Sequence, residues 1–262
     1  MIPAIIIIVC ICLFLTVQYS LFLPTVKGLP VLMYHKVSED VNNELTISVH
    51  YLDKQFGYLF AHGYTCISLG RVLGIKDAKL PHRPFVLTFD DAYLNNLEFL
   101  YPLLQKYNFH ATIMLPVGHL GKINQWDAGH EPLMNYEQLL SMDSRFVSFG
   151  LHTFDHISLK NVPFPDIVAD IEKCKKELGR NGINYLPVLA YPYGGYPRKG
   201  AQQEEFFKLL EQQGIVYGLR IGNRINKWPV KNRFEVKRID MKGDDSFWTF
   251  KTKLSKGRVK MF

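Results

Sequence analysis

From Leu29 onward, short runs of β-branched and aromatic residues alternate with longer stretches whose apolar positions recur every three or four residues. The short runs predict strands over 31–34, 64–68, 85–89, 111–115, 146–149, 188–191, 215–219 and 234–239. Between them the spacing predicts helices over 51–61, 94–107, 135–141, 166–178, 204–213 and 245–254; in the first, Leu52, Phe56, Leu59 and Phe60 recur at helical spacing. Such an alternation gives an α/β fold whose largely parallel sheet is closed, or nearly closed, into a barrel. Residues 118–132, with two His, one Trp and three Gly, form the longest irregular segment and read as a surface loop over one end of the sheet.

One stretch departs from this alternation. Residues 2–23 contain no charged side chain and are dominated by Ile, Val, Leu and Phe. As a helix they would span roughly 33 Å, enough to cross a bilayer. A signal peptide is the competing reading, but no Lys or Arg precedes the run, and its exit, Leu21 to Lys27, lacks the pair of small residues a signal peptidase needs. The expectation is a single-pass transmembrane anchor over 1–24 and a catalytic domain over 25–262. An extracytoplasmic domain is expected, although Lys27 and the α-amino group alone do not fix the orientation.

With 47% hydrophobic and 21% charged residues among 262, the chain can build one sizeable core. Cys10 and Cys12 lie in the apolar run, so the domain holds only Cys66 and Cys174, expected as free thiols. A net charge of +7 comes largely from 220–238 and from the tail residues Lys251, Lys253, Lys256, Arg258 and Lys260. Neither the aromatic-plus-glycine signature of an RNA-binding sheet nor zinc-finger spacing is present, so no nucleic-acid partner is expected. The basic residues read as a solvated face, or as a tail against anionic lipid headgroups.

The chemistry collects where strands end. The strand 85–89 runs directly into Asp90 and Asp91, adjacent carboxylates that need a cation or hydrogen bonds to stay ionised together. The next strand-end but one leads into His152-Thr153-Phe154-Asp155-His156, two histidines that share one face if the segment takes a helical turn. Their imidazoles and a carboxylate from another strand-end make a facial donor set for a metal, with positions left for water and substrate. A third strand-end runs into Pro192-Tyr193-Gly194-Gly195-Tyr196-Pro197, a tight turn able to aim a backbone N–H at a developing oxyanion, or simply a surface turn.

Taken together, Thr88-Phe89-Asp90-Asp91, His152-Thr153-x-x-His156 and Tyr191-Pro192-Tyr193-Gly194 resemble the three leading motifs of the polysaccharide deacetylases, the NodB-homology carbohydrate esterases. The resemblance covers about 29–239. The opening Val31-Leu32-Met33-Tyr34-His35-Lys36-Val37, with the Phe56, Gly63-Tyr64 and Ile67-Ser68-Leu69 pattern after it, is similar to the branch that deacetylates poly-N-acetylglucosamine in biofilm matrices. The resemblance implies a distorted seven-stranded (β/α) barrel and a divalent metal on Asp91, His152 and His156. Zinc is the expected ion, with cobalt, nickel or iron(II) as alternatives. Asp90 is then the general base, and His35 supplies the catalytic acid. Three positions depart from the family pattern. Ala190 or Tyr191 stands where an Arg that orients the base is often found, Leu151 precedes the first metal histidine where a small polar residue is usual, and Tyr136 replaces a Trp.

The expected reaction is hydrolysis of an acetamide on an N-acetylated polysaccharide, with Tyr193 N–H helping to hold the oxyanion. A deacylase for another N-acyl or O-acetyl substrate shares the same site residues. A catalytically silent glycan-binding protein of this fold is the reading from another class, resting on the missing Arg. Trp126 suits the apolar face of a pyranose ring or anchors its loop, and His119 and His130 share that loop; His50, His62, His82 and His110 read as surface or packing residues.

Overall fold

The computed structural model describes residues 7, 9, 25–74, 79–127 and 129–259. Apart from Ile7 and Val9, the expected membrane-spanning helix over 2–23 lies outside the described residues, and among those described no helix is long and apolar enough to cross a membrane. The strands, in chain order, are β1 (Val31–Tyr34), β2 (Lys36–Ser38), β3 (Thr46–Ser48), β4 (Thr65–Cys66), β5 (Pro84–Asp90), β6 (Ala111–Leu115), β7 (Val147–Leu151), β8 (Val188–Ala190), β9 (Tyr217–Ile221) and β10 (Val236–Asp240).

Seven of these close a parallel ring in the order β1-β10-β9-β8-β7-β6-β5, sealed where Leu32 pairs with Ile239 on one side and Leu87 on the other. The short β4 hangs on the start of β5, with Thr65 opposite Pro84. Strands buried on both faces favour apolar residues without a break, which is why the runs in β1 and β8 are legible as continuous hydrophobic stretches. The separate pair β2 and β3 has no counterpart in the expected strands; each is three residues long, and their first two residues pair Lys36 with Thr46 and Val37 with Ile47.

Because side chains alternate between the faces, one parity of each strand points into the barrel. Val31, Val86, Val188, Leu219 and Val236 form an apolar plug at the amino-terminal end, together with Leu29, Ile67 and Met114. The opposite parity, including Leu32, Leu87, Ile113, Phe149 and Leu189, packs outward under the helices. On the inward parity, the residues that follow the plug are Thr88 and Asp90 on β5, Arg238 and Asp240 on β10, and Met33 on β1, with His35 just past its end. Polar side chains are thereby raised to the carboxyl end of the barrel, above an apolar floor.

The helices match the expected ones with shifted ends: Val49–Ala61, Tyr101–Tyr107, Tyr136–Leu140, Phe164–Arg180, Gly200–Gln212 and Phe247–Lys256. The expected helix over 94–107 is divided, its first part taking a π-helical turn over Asn96–Leu100. Leu69–Gly74 is an additional short helix. Ser48 caps the first long helix by accepting from Tyr51 N–H, and Leu52, Phe56 and Leu59 are its buried side. Cys66 and Cys174 are free, as expected.

Candidate active site

The carboxyl mouth of the barrel opens into a cavity of about 250 Å³ lined by His35, Asp90, Asp91, Trp126, His152, His156, Tyr193, Arg238 and Asp240, among others. All six residues singled out from the sequence therefore meet at one place. Their backbone is strained to do so. Among the described residues, eight non-glycine positions have positive φ, and Asp91 (75°), Ala92 (55°), Thr153 (64°), His156 (52°) and Tyr193 (56°) all belong to this mouth. Each costs about 1–3 kcal/mol and persists only where the surrounding packing dictates it, a pattern associated with functional sites.

The segment 152–156 is not a helical turn, contrary to expectation. β7 ends at Leu151, and left-handed residues at Thr153 and His156 fold the chain back so that both rings face inward. Asp170, on Phe164–Arg180, secures this loop by accepting from Phe154 N–H at 2.9 and 3.0 Å. Gly150 lets β7 lie close to its neighbours, since a Cβ there would fall 2.7 Å from both Met114 Sδ and Val188 Cγ2.

Asp91, His152 and His156 are all buried, and one donor atom from each lies within 4.8 Å of the others. His152 Nδ1 sits 2.8 Å from the Ala190 carbonyl, which can only accept, so Nδ1 carries the proton and Nε2 presents its lone pair to the cavity. Nε2 of His156 is 3.1 Å and that of His152 3.5 Å from Asp91 Oδ1. Asp91 Oδ2 accepts from Trp126 Nε1 at 3.2 Å, whereas Oδ1 is buried with no hydrogen-bond partner. A buried carboxylate oxygen without a donor is costly unless a cation completes it. Two imidazole nitrogens and one such oxygen are the donor set of a divalent transition metal, so the residues fit the ion that the motifs imply.

Asp90 is separate from this trio. Arg238 donates to both of its oxygens, Nη1 to Oδ1 at 2.5 Å and Nη2 to Oδ2 at 2.8 Å. Burial opposes ionisation of Asp90, but the charge and hydrogen bonds of Arg238 outweigh it and hold the carboxyl below the usual range. The same contest at Asp91 is won by His156 and His152, which hold its carboxyl well below the usual range. Burial pushes the His152 imidazole down to about 4, so it is neutral near pH 7. His35 Nε2 lies 3.9 Å from Asp90 Oδ2. Asp240, on the same inward face as Arg238, is raised by burial against the opposing charges of Lys253 and His35.

The absence of an Arg at Ala190 or Tyr191 left Asp90 without an expected partner. Arg238 fills that role from the last strand of the ring. A signal for it existed: in 234–239, Val236 and Arg238 share a parity, so a strand with Val236 in the core must also bury Arg238 and give it a carboxylate. Ala190 instead supplies the carbonyl that fixes His152. Tyr193 contributes more than a backbone turn, since its hydroxyl lies 3.1 Å from His156 Nδ1 although the residue is 59% exposed. Trp126 stacks on His156 with ring centroids 4.2 Å apart.

Residues 77–210, slightly more than half of the chain, match the family described as polysaccharide deacetylase. The chain is 28% identical over 193 residues to the protein YxkH of Bacillus subtilis (strain 168), covering 73% of this chain and 63% of that relative's length. It is 26% identical over 220 residues to the poly-beta-1,6-N-acetyl-D-glucosamine N-deacetylase of Staphylococcus aureus (strain MSSA476), covering 80% of this chain and 72% of that one. Among solved structures, a de-N-acetylase from Aggregatibacter actinomycetemcomitans shares the fold with a TM-score of 0.72 at 22% identity, over 86% of this chain and 99% of that chain. IcaB from Ammonifex degensii does so with a TM-score of 0.71 at 20% identity, over 88% and 97%.

A closed parallel barrel with a carboxylate, two histidines and a second, Arg-held carboxylate at its carboxyl mouth defines a hydrolase of the deacetylase class. The chain belongs to the polysaccharide deacetylase family.

Proposed function

We propose that this enzyme removes acetyl groups from the amino sugars of an N-acetylglucosamine-containing polysaccharide, using a divalent metal held by Asp91, His152 and His156. The observation that carries this reading is the division of labour between adjacent carboxylates. Asp91 Oδ1 is buried and unpartnered beside two imidazole Nε2 atoms, while Asp90 is held by Arg238 and faces His35. The relative that acts on poly-β-1,6-N-acetylglucosamine supports the choice of polymer.

Bound there, zinc, or cobalt, nickel or iron(II) in the same donor set, would supply Lewis acidity that polarises the acetamide carbonyl and makes water more acidic. The protein's own residues perform the proton transfers. Asp90, kept as a carboxylate by Arg238, accepts a proton from the attacking water as its oxygen bonds to the carbonyl carbon. The Tyr193 N–H, in its left-handed turn, stabilises the negative charge that develops on the carbonyl oxygen. His35, as imidazolium, protonates the nitrogen as the C–N bond breaks, because an amine leaves poorly until it gains that proton. Acetate and a free amino sugar result.

The proposal includes an anchored arrangement in which 1–24 holds the catalytic domain 25–262 at a membrane with the domain outside the cytoplasm. In support, the described chain joins the barrel at its amino-terminal end, where Val26 N–H bonds to Ser255 O and Leu29 N–H to Asn226 O. The active-site mouth is at the other end. The silent glycan-binding alternative loses its basis, since Asp90 has its Arg. Acetate release from a panel of N-acetylated glycans, O-acetylated glycans and small amides, with and without chelator, tests the reading. Chelator-sensitive release confined to N-acetylated glycans supports it. Release from O-acetyl esters alone contradicts it.

A further inference from the structure

A second, partly buried cluster lies beside the metal-binding trio and is not used by the reaction as described. Lys36, at the start of β2, is 5% exposed at its side chain, and its ammonium is 2.8 Å from Asp127 Oδ2 and 2.9 Å from Glu131 Oε2. Asp127 gathers further donors. Tyr93 OH reaches Oδ2 at 3.0 Å, while Asn124 Nδ2 and the Gly129 N–H reach Oδ1 at 2.6 and 2.8 Å. The Lys36 ammonium also lies 4.9 Å from the centre of the Tyr93 ring. A buried ion pair adds little net stability over an apolar pair of the same volume, whereas the orientation it imposes is specific.

What that orientation fixes is the neighbouring residue. Trp126 precedes Asp127, and it is Trp126 that donates to Asp91 Oδ2 and stacks on His156. Occupying Oδ2 leaves Oδ1 as the carboxylate oxygen turned toward the two histidines, and the indole face holds the His156 ring. Trp126 therefore selects which oxygen of Asp91 is offered to a cation, and Asp127 selects where Trp126 sits. The loop is closed at its base by the pairing of Ile123 with Pro132, and the Lys36 to Asp127 contact is one of its lateral ties to the barrel, beside Lys36 to Glu131 and Tyr93 to Asp127. Lys36 follows His35 in sequence and Asp127 follows Trp126, so the pair joins the two sides of the mouth.

We propose that Lys36 and Asp127 are positioning residues that lock Trp126 against Asp91 and His156, and that this lock sets the affinity of the site for its divalent metal. The inference rests on the metal-site reading above, and it deepens that reading by assigning an outer layer around the ligands. Groups that orient metal ligands from outside commonly alter metal affinity by about 10–100-fold.

The test measures zinc affinity by chelator competition on the full chain without substrate, for Lys36→Met, Lys36→Arg, Tyr93→Phe, Trp126→Phe and the double variant Lys36→Met/Trp126→Phe. Acrylamide quenching of the tryptophan fluorescence, compared with Trp126→Phe, reports whether the indole has come loose. Lys36→Met and Trp126→Phe are each expected to weaken zinc about tenfold or more, and the double variant no further than Trp126→Phe alone, because both act through one residue. Lys36→Arg should keep most of the affinity, and Lys36→Met should expose Trp126 to quencher. Tyr93→Phe, which removes a single hydroxyl from Asp127, should give a smaller change in the same direction and serves if Lys36→Met does not fold. Zinc affinity within twofold of wild type in a folded Lys36→Met, or in Tyr93→Phe with Lys36→Met unfolded, overturns the proposal. So does an additive double variant. If every variant behaves as expected yet no glycan is deacetylated, the positioning role stands and the substrate assignment fails.

Discussion

Arg238 and Asp90, 148 residues apart in sequence, meet through two guanidinium nitrogens and both carboxylate oxygens inside the barrel. The pair joins β10 to β5 across the inside of the ring, where β1 stands between them in the sheet. Its chemical consequence is that the candidate base stays ionised although it is buried.

Removing the guanidinium should therefore be visible in the pH profile. Asp90 is held below the usual carboxylate range by Arg238 against burial, so in Arg238→Met burial prevails and its carboxyl rises. The acid limb of kcat/KM should move to higher pH, with activity near pH 7 down by about 100-fold. Arg238→Lys, a point charge without the planar fork, should lie between. An unmoved acid limb in a folded Arg238→Met would detach Asp90 from the base role.

His35 Nε2 lies 3.9 Å from Asp90 Oδ2. As the acid, it must carry a proton, so activity should fall towards high pH. His35→Phe should abolish that alkaline limb and slow acetamide hydrolysis by about 100-fold or more, while slowing an activated acetate ester far less, because that leaving group needs no proton. Equal slowing of amide and ester by His35→Phe would contradict the assignment.

His110 provides a prediction about stability. Burial pushes its imidazole down to about 4, whereas an unfolded histidine titrates near about 6.5. Between those values the unfolded chain binds the extra proton, so this residue's contribution is fully present above about pH 6.5 and is lost as pH falls towards 4. Allowing for partial exposure, the loss is about 1–2 kcal/mol. Urea midpoints for wild type and His110→Gln should diverge across this window, with the variant less sensitive to acid. Parallel curves would show that His110 is not held neutral.

The barrel strands were legible because burial on both faces favours apolar runs, as in Val31–Tyr34 and Val188–Ala190. β2 and β3 were not, because three residues with Lys36, Ser38 and Thr46 among them carry no such pattern. At the site, the types and spacing of Asp90, Asp91, His152 and His156 announced their chemistry. The local geometry did not follow from spacing, since left-handed backbone at Thr153 and His156 is imposed by packing and not by glycine. Arg238 and Lys36 belong to pairs closed by the fold over long sequence separations, which no local pattern records.

The central claim is that adjacent carboxylates have different duties, Asp91 holding a metal and Asp90 moving a proton. It is tested most directly by measuring bound zinc and acetate release in parallel for wild type, Asp90→Asn and Asp91→Asn. The amide at position 90 can still hydrogen-bond water but cannot accept its proton, so Asp90→Asn should keep about one zinc per chain while losing about 1000-fold or more in rate. Asp91→Asn should lose zinc and turnover together. If Asp90→Asn loses zinc as completely as Asp91→Asn, or retains wild-type turnover, the two roles are misassigned and the account fails.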